Sequence, residues 1–484
     1  MSDVSGAIKS IRDIMRKDAG ISGDAQRIEQ LAWMFFLKIF DDRELEVELL
    51  DPSYSSPIPS DLRWRNWAAN DAGITGDTLS AFVDNELFPS LQGLHQTNPI
   101  NPRARVVAGV FDGAFNFMKS GTLLRQVVNK VQEINFNDAA DRHKFGDLYE
   151  GILRELQSAG DAGEFYTPRA VTQFMVEMVA PKLGETIIDP ATGTGGFLAC
   201  TINHLRDKYV NTPEDEAVLQ QHVRGVEKKH LPHILCMTNM LLHGIDVPVN
   251  IAHDNTLARP LIDWSPSERV DVIVTNPPFG GTEEDGIENN FPADLRTRET
   301  ADLFLVLIMH LLKPGGRCAI VLPDGTLFGE GVKTKIKEKL LTECNLHTVV
   351  RLPKSVFAPY TSIATNLLFF EKGQPTEEVW FYEHHLPEGQ KAYNKTKPIR
   401  ASEFDGLREW WGAREESEQA WLVPISEIRD RNYNLDIANP NAVEEVLRDP
   451  DELLDEYRKT LATVGELTDR LASALGDSLS GTAK

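Results

Sequence analysis

Four consecutive residues, Asn276-Pro277-Pro278-Phe279, close the apolar stretch Val270-Asp271-Val272-Ile273-Val274-Thr275. Their types suit the capture of a flat group that bears an amine. The Asn276 side-chain oxygen accepts a hydrogen bond, and Pro277, which has no N–H, presents only its carbonyl as a second acceptor. Two acceptors on one NH2 leave the nitrogen lone pair free to attack an electrophile, and Phe279 supplies a ring face for stacking. The same letters also spell an ordinary Asn-Pro turn at the end of a buried strand. Choosing between the two needs a second motif.

That motif lies upstream. The apolar run Thr186-Ile187-Ile188-Asp189 enters Pro190-Ala191-Thr192-Gly193-Thr194-Gly195-Gly196-Phe197, after which Leu198 to Leu205 is patterned as a helix. Glycines at 193, 195 and 196 let the backbone approach a ligand closely, over the carboxyl edge of the first strand. No Gly-Lys-Ser/Thr follows, which excludes a Walker loop, and Asp189 suits a cationic group better than a phosphate. Val223-Arg224-Gly225-Val226-Glu227 reads as a second strand ending in an acid placed for ribose hydroxyls, and Val249 to Asp254 as a third ending in an acid that can accept from an adenine amine. A hydrogen bond to such a charged group contributes roughly 1.5–3 kcal/mol. One acid at a strand end is commonly just solvated. Three at successive strand ends, followed by the amide-proline seat, describe a nucleotide-type pocket beside a place for an amine.

The segment Glu164-Phe165-Tyr166-Thr167-Pro168-Arg169 precedes the glycine turn. With it, the series resembles the S-adenosylmethionine-dependent amino methyltransferases, and within them the modification subunits of type I restriction-modification enzymes, which methylate adenine N6 in DNA and in which cofactor motif X comes before motif I. The resemblance covers nearly the whole chain, including Leu62-Arg63-Trp64-Arg65-Asn66-Trp67 and Asn432-Tyr433-Asn434-Leu435. It implies an α/β fold: a Rossmann-like methyltransferase domain with a seven-stranded mixed sheet, an α-helical N-terminal domain and a helical C-terminal tail. It also implies that Glu164, Phe165, Tyr166, Thr167, Pro168 and Arg169 pack against S-adenosylmethionine and that Asp189 faces its methionine ammonium. Gly193, Thr194, Gly195 and Gly196 then supply close backbone, Glu227 takes the ribose and Asp254 the adenine, while Asn276, Pro277, Pro278 and Phe279 take the target base. One departure stands out: relatives often carry a glycine before the third-strand acid, and this chain has His253. Read locally, Thr167 is also a good N-cap with Pro168 at the first helical position.

A target adenine is paired inside the duplex, so it must be flipped out at a cost of a few kcal/mol. Stacking returns roughly 1–3 kcal/mol per base. Phe279 therefore offsets only part, and a second aromatic face is expected, with Phe357 and Tyr360 both candidates.

A formal net charge of −23 opposes the phosphate backbone, because affinity for DNA comes largely from Lys and Arg contacts. A partner must supply much of it. The resemblance implies a specificity subunit that reads the sequence, two methyltransferase chains docked on it, and in some systems a restriction or translocase subunit. Four cysteines, at 200, 236, 318 and 344, sit in apolar segments without close pairing and read as reduced core thiols. The start Met1-Ser2-Asp3-Val4 lacks a signal-like pattern and no apolar run reaches about 18 residues, so a cytoplasmic chain with no membrane contact is expected. None of the twelve histidines has zinc-ligand spacing, and methyl transfer from a sulfonium needs no metal.

The expected organisation is a helical N-terminal domain at 1–135, a connecting helix at 136–160, the catalytic domain at 161–375, its extension at 376–439 and a tail at 440–484. Ile28 to Phe40 forms an apolar bundle helix. Arg63 and Arg65 alternate with Trp64 and Trp67, a pattern that can hold a nucleic-acid strand, although packing is the favoured reading. From the resemblance, His347 to Leu352 and Ala364 to Glu371 form a reversed pair at the sheet edge. The polar segment between Phe279 and Glu299 reads as a lid that orders on DNA or as a solvated loop. Val443, Val446, Leu453, Leu454, Tyr457, Leu461, Val464, Leu467, Leu471 and Leu475 mark an amphipathic tail that docks on the specificity subunit or packs back on the N-terminal domain. Two other functions use the same seat: methylation of a protein glutamine or an RNA base, and a non-catalytic scaffold that binds the cofactor.

Overall fold

Among the described residues nine segments become strands: β1 Ile187–Asp189, β2 Val223–Glu227, β3 Ile251–His253, β4 Val270–Thr275, β5 Leu312–Pro323, β6 Cys344–Leu352, β7 Thr365–Lys372, β8 Glu378–Glu383 and β9 Ala420–Pro424. The computed structural model describes residues 4–136, 149, 167–358, 361–394, 396–442 and 450–481. The strands form one sheet in the order β3-β2-β1-β4-β5-β7-β6-β8-β9. From β3 to β5 every pairing is parallel, and helices such as Gly196–Lys208, His230–Leu242 and Thr300–Leu311 cross between strands.

The β4 sequence shows why it lies in the middle. Val272 and Val274 pack into one core with Phe174 and Met175 of the Arg169–Val179 helix, while Ile273 enters a second core with the Thr300–Leu311 helix. Both faces are covered, so the strand is apolar throughout instead of alternating. Its carboxyl end, with those of β1 and β2, forms the edge on which the proposed ligand residues fall.

Two expectations about the sheet are corrected. It has nine strands, not seven: β8 runs parallel to β6, and β9 is antiparallel to β8. Within 376–439, Val379, Phe381, Trp421 and Val423 are buried, and the added strands cover what would otherwise be an open β6 edge. Nor do 347–352 and 364–371 form an edge pair. They pair antiparallel, but inside the sheet: β7 is reversed relative to both its neighbours and lies between β5 and β6. Thr365 through Phe370 are all buried, as an interior strand requires.

In the N-terminal region the Asp24–Leu50 helix buries nearly every residue from Leu31 to Phe40, as a central bundle helix does. Trp64 and Trp67 are buried, and their indole N–H groups donate to Gln132 Oε1 and the Leu62 carbonyl. Arg65 pairs with Asp41 and Glu48, and Arg63 with Glu48. These rings are core, so no stacking surface for a nucleic acid is available there.

Met1–Asn439 forms one compact unit and Pro440–Lys484 a second. The second contains the helix Pro450–Gly481, on which Leu454, Tyr457, Leu461, Val464, Leu467 and Leu471 are exposed. Val443, Val446 and, apart from the buried Tyr149, the helix expected over Asp141 to Gln157 lie outside the described residues. All four cysteines are free and buried. Among the described residues no helix is long and apolar enough to cross a membrane, and no group of three or more His, Cys, Asp or Glu could hold a metal ion.

Candidate active site

Asp189 ends β1 and is fully buried. One carboxylate oxygen accepts from the Thr275 hydroxyl at 2.7 Å and from the Ala191 N–H at 3.1 Å. The other, Oδ2, is buried without a partner. Burial pushes this carboxyl up to about 7, against the lowering effect of the Thr275 and Ala191 bonds. An acid with one satisfied and one orphaned oxygen suits a cationic donor from outside the fold.

Thr275 is the last residue of β4, so its bond to Asp189 brings the next residue, Asn276, to the same edge. The Asn276 amide is held from one side only: its Nδ2 donates to Thr167 Oγ1 at 2.8 Å, and its Oδ1 is buried with no partner. This overturns the local reading of Thr167. The helix begins at Arg169 with Pro168 in the capping position and no side-chain cap, and the Thr167 hydroxyl orients the amide of a residue far away in sequence. Glu164, Phe165 and Tyr166 lie outside the described residues.

The glycine turn is built for close contact. Gly195 adopts φ +81°, and a Cβ there would meet Cys236 Sγ at 2.8 Å, which makes glycine obligatory on two counts. Gly193, at φ +52°, has open space where a Cβ would stand. Arg169 Nη1 donates to the Gly196 carbonyl at 2.9 Å and ties the helix after Thr167 to the turn. Asn239 Nδ2 donates to the Thr194 carbonyl at 3.0 Å.

Glu227 ends β2, mostly buried. It accepts from the Gly193 N–H through Oε2 and from the Lys229 N–H through Oε1, both at 2.8 Å. It therefore also closes the glycine turn, a task that spacing alone did not suggest. Asp254 lies one residue past β3, exposed, with its carboxylate accepting from the Asn255 N–H at 2.7 Å. His253, before it, stacks on His233 at 4.9 Å, and burial pushes His233 down to about 4.

Pro277 is buried and Pro278 exposed. Phe279 is buried and meets Phe357 edge to face, with centroids 5.9 Å apart and planes at 82°. With Phe279 buried and Phe357 against it, a base reaches the Phe279 ring only after local rearrangement. Tyr360 lies outside the described residues. The segment after Phe279 is hydrogen-bonded to its surroundings: Glu283 accepts from Lys228 Nζ at 3.1 Å and from the Thr300 hydroxyl at 3.2 Å, and its N–H donates to the Arg298 carbonyl.

Two polar residues escaped the sequence reading. Thr275 reads as one more strand residue, although a hydroxyl ending an otherwise apolar run directly before Asn276 was a usable signal. Asn239 sits inside an apolar helix with no local sign of its partner.

An orphaned carboxylate, an orphaned amide oxygen and an open glycine turn thus gather on one sheet edge. The family model for N-6 DNA methylase matches residues 140–449, and that for the HsdM N-terminal domain matches 4–131. The chain belongs to the N-6 DNA methylase family. It is 61% identical to the type I restriction enzyme EcoEI methylase subunit of Escherichia coli, over 99% of both chains. The EcoKI methylase subunit of E. coli strain K12 is 26% identical, over 86% of this chain and 79% of that one. Among solved structures, the modification subunit of a putative type I restriction enzyme from Vibrio vulnificus YJ016 superposes with TM-score 0.82 at 45% identity, covering 92% of this methylase and 98% of that chain. A chain of a type I R-M system solved for its complex assembly and conformational transition gives TM-score 0.81 at 39% identity, over 98% and 99% of the two chains. This methylase is thus a type I restriction methylase subunit.

Proposed function

We propose that this methylase transfers a methyl group from S-adenosylmethionine to N6 of an adenine flipped out of double-stranded DNA. The observation that carries the reading is Asn276, whose amide is fixed by Thr167 through Nδ2 and whose Oδ1 is buried and unpaired. An exocyclic amine is the donor that this oxygen lacks. With one N6 hydrogen on Asn276 Oδ1 and the other on the Pro277 carbonyl, the nitrogen lone pair stays out of the hydrogen bonds and faces the glycine turn. As the nitrogen gains positive charge, both oxygens hold its protons more strongly, so the seat favours the transition state over the bound base.

S-adenosylmethionine, when bound, supplies an activated methyl on a sulfonium. The residues present fit it: Asp189 Oδ2 lacks the partner that an ammonium provides, the space at Gly193 admits close approach, Glu227 ends β2, and Asp254 follows β3. Arg169 holds the Gly196 carbonyl and keeps the turn against the helix that follows Thr167. Phe279 stacks on the flipped base once the burial around it opens, with Phe357 or Tyr360 as the second face.

The partners follow from charge. At −23 the chain alone opposes DNA, and a separate specificity subunit, carrying two methylase chains, supplies sequence choice and affinity in the cytoplasm. The exposed apolar face of the Pro450–Gly481 helix is its docking element. Labelled-methyl transfer to DNA, with and without the co-expressed specificity subunit and followed by base analysis, tests the reading. Label on adenine N6 only with the partner is expected. Label on protein or RNA, or none with the partner present, refutes it. Removing residues 440–484 should abolish co-purification of the two subunits.

A further inference from the structure

Among the buried polar atoms without a partner, four belong to one edge of the sheet: Asp189 Oδ2, Asn276 Oδ1, Thr365 Oγ1 and Asn366 Oδ1. The first two have been given their roles. Thr365 opens β7, the reversed strand, so its start lies at the same edge as the carboxyl ends of β1 and β4. Its neighbours on the sheet are Pro323 of β5 and Leu352 of β6.

Strand alternation decides which face each residue occupies. Leu367 and Phe369, which share a face with Thr365, pack into the core that holds Val272, Val274, Phe279 and Phe357. Leu368 and Phe370, which share a face with Asn366, belong to the other core, and Asn366 already donates to Asp324 there at 2.7 Å. Asn276, one residue past β4, is tethered to Thr167 just before the Arg169–Val179 helix, which packs on the face that Val274 presents. Thr365 and Asn276 thus lie on the same face, and Asn366 on the opposite one.

The register sets their separation. Thr275 pairs with Ile320 and Thr365 with Pro323, so the two residues stand two strand spacings apart across β5 and about two residues apart along it. At about 4.8 Å per strand and 3.3 Å per residue, that is roughly 12 Å between Cα atoms. A purine with one hydrogen bond at each end bridges such a gap, with its amine on Asn276 and its far edge at Thr365. Phe279 and Phe357 pack in the same core.

We propose that the Thr365 hydroxyl is a base-binding group that donates a hydrogen bond to a ring nitrogen of the flipped adenine. The inference rests on the adenine reading above and deepens it. It gives the seat a third polar contact, one made to a ring acceptor instead of to the reacting amine. A buried hydroxyl left unpaired is costly, and a base that fills this place removes the cost.

The test uses the full chain with its co-expressed specificity subunit and duplexes that carry adenine, 1-deazaadenine, 3-deazaadenine or 7-deazaadenine at the target. Thr365→Val keeps the shape and deletes the hydroxyl, and Thr365→Ser keeps the donor. The expected result is a rise of about threefold to tenfold in KM for adenine DNA in Thr365→Val, the size of one neutral hydrogen bond, with Thr365→Ser near wild type. One deaza duplex should lose a similar factor with the wild-type chain and nothing further with Thr365→Val. The inference is overturned if Thr365→Val matches wild type, if its loss multiplies with that of every analogue, or if the wild-type chain treats all three analogues like adenine. The last comparison needs no variant, so a misfolded Thr365→Val does not shield the idea. A wild-type complex that leaves adenine unmethylated defeats the adenine reading itself, whereas an active complex indifferent to Thr365 defeats only this inference.

Discussion

Buried carboxylates are treated in opposite ways in two regions of this molecule. In the N-terminal helical region, Asp41 accepts from the Arg65 N–H and Nε, and Glu44 accepts from Tyr54 and Ser56. Asp18 takes the backbone N–H groups of Gly20, Lys119 and Ser120. At the sheet edge, Asp189, Asn276 and Thr365 each keep a buried oxygen with no partner. The first group fastens loops to helices and has its donors within the chain. The second lacks donors that the chain could easily have furnished, and unpaired buried oxygens are destabilising unless something else arrives. The N-terminal carboxylates thus complete their bonds within the fold, whereas these three edge residues each keep an oxygen free for a donor from outside it.

The contrast can be broken most directly at Asn276. Asn276→Ala should lower kcat by about 10²–10³-fold, the scale of losing a preorganised polar contact to the reacting atom, while calorimetry still detects cofactor binding. Activity within a few-fold of wild type would end the amine-seat reading. Asp189→Asn comes next: loss of a charge-assisted bond should weaken cofactor binding by about 10–150-fold. Here pH sharpens the test. The free chain holds the Asp189 proton up to about 7, and an ammonium needs the carboxylate, so wild-type affinity should rise between pH 6 and 8 and flatten above. Asp189→Asn should lose that rise. The same shift makes the ligand-free chain less stable as pH climbs from the ordinary 3.8 to about 7, because the unfolded chain ionises this acid freely and the folded one does not.

In the N-terminal region the expected effect is on stability and not on chemistry. Asp41→Asn should cost about 2 kcal/mol through its charged hydrogen bonds, seen as a lower Tm with kcat unchanged. A fall in kcat with Tm intact would place Asp41 in the wrong class. The smallest effect is expected at Thr167, which touches only the far side of the amide. Thr167→Val should reduce kcat by about fivefold, the worth of one neutral hydrogen bond, and Thr167→Ser should restore it. Equal losses in both variants would mean that packing, not the hydroxyl, matters.

Much of the edge was legible because its signals are local. A glycine turn after an apolar strand, an acid before it and an Asn-Pro-Pro-Phe run each state their chemistry within a few residues. The buried tryptophans at 64 and 67 were legible as packing for the same reason. What stayed hidden involves partners distant in sequence. Thr167 reads as a helix cap until Asn276 is brought beside it, and the second task of Glu227, closing the glycine turn, shows only in its bond to the Gly193 N–H. The strands at 378–383 and 420–424 are short and separated by a long connection that contains the Asp405–Ala413 helix, so nothing in their own pattern announced that they extend the sheet past β6.

By itself the sequence determined the chemical types on offer, their order along the chain and the alternation of strand and helix that carries them, because hydrophobic period and turn chemistry act over neighbouring residues. Only the tertiary structure decided which polar atoms are paired and which are left over. Whether a buried oxygen finds a donor depends on what the rest of the chain places within about 3 Å of it, and that distance has no counterpart in residue spacing.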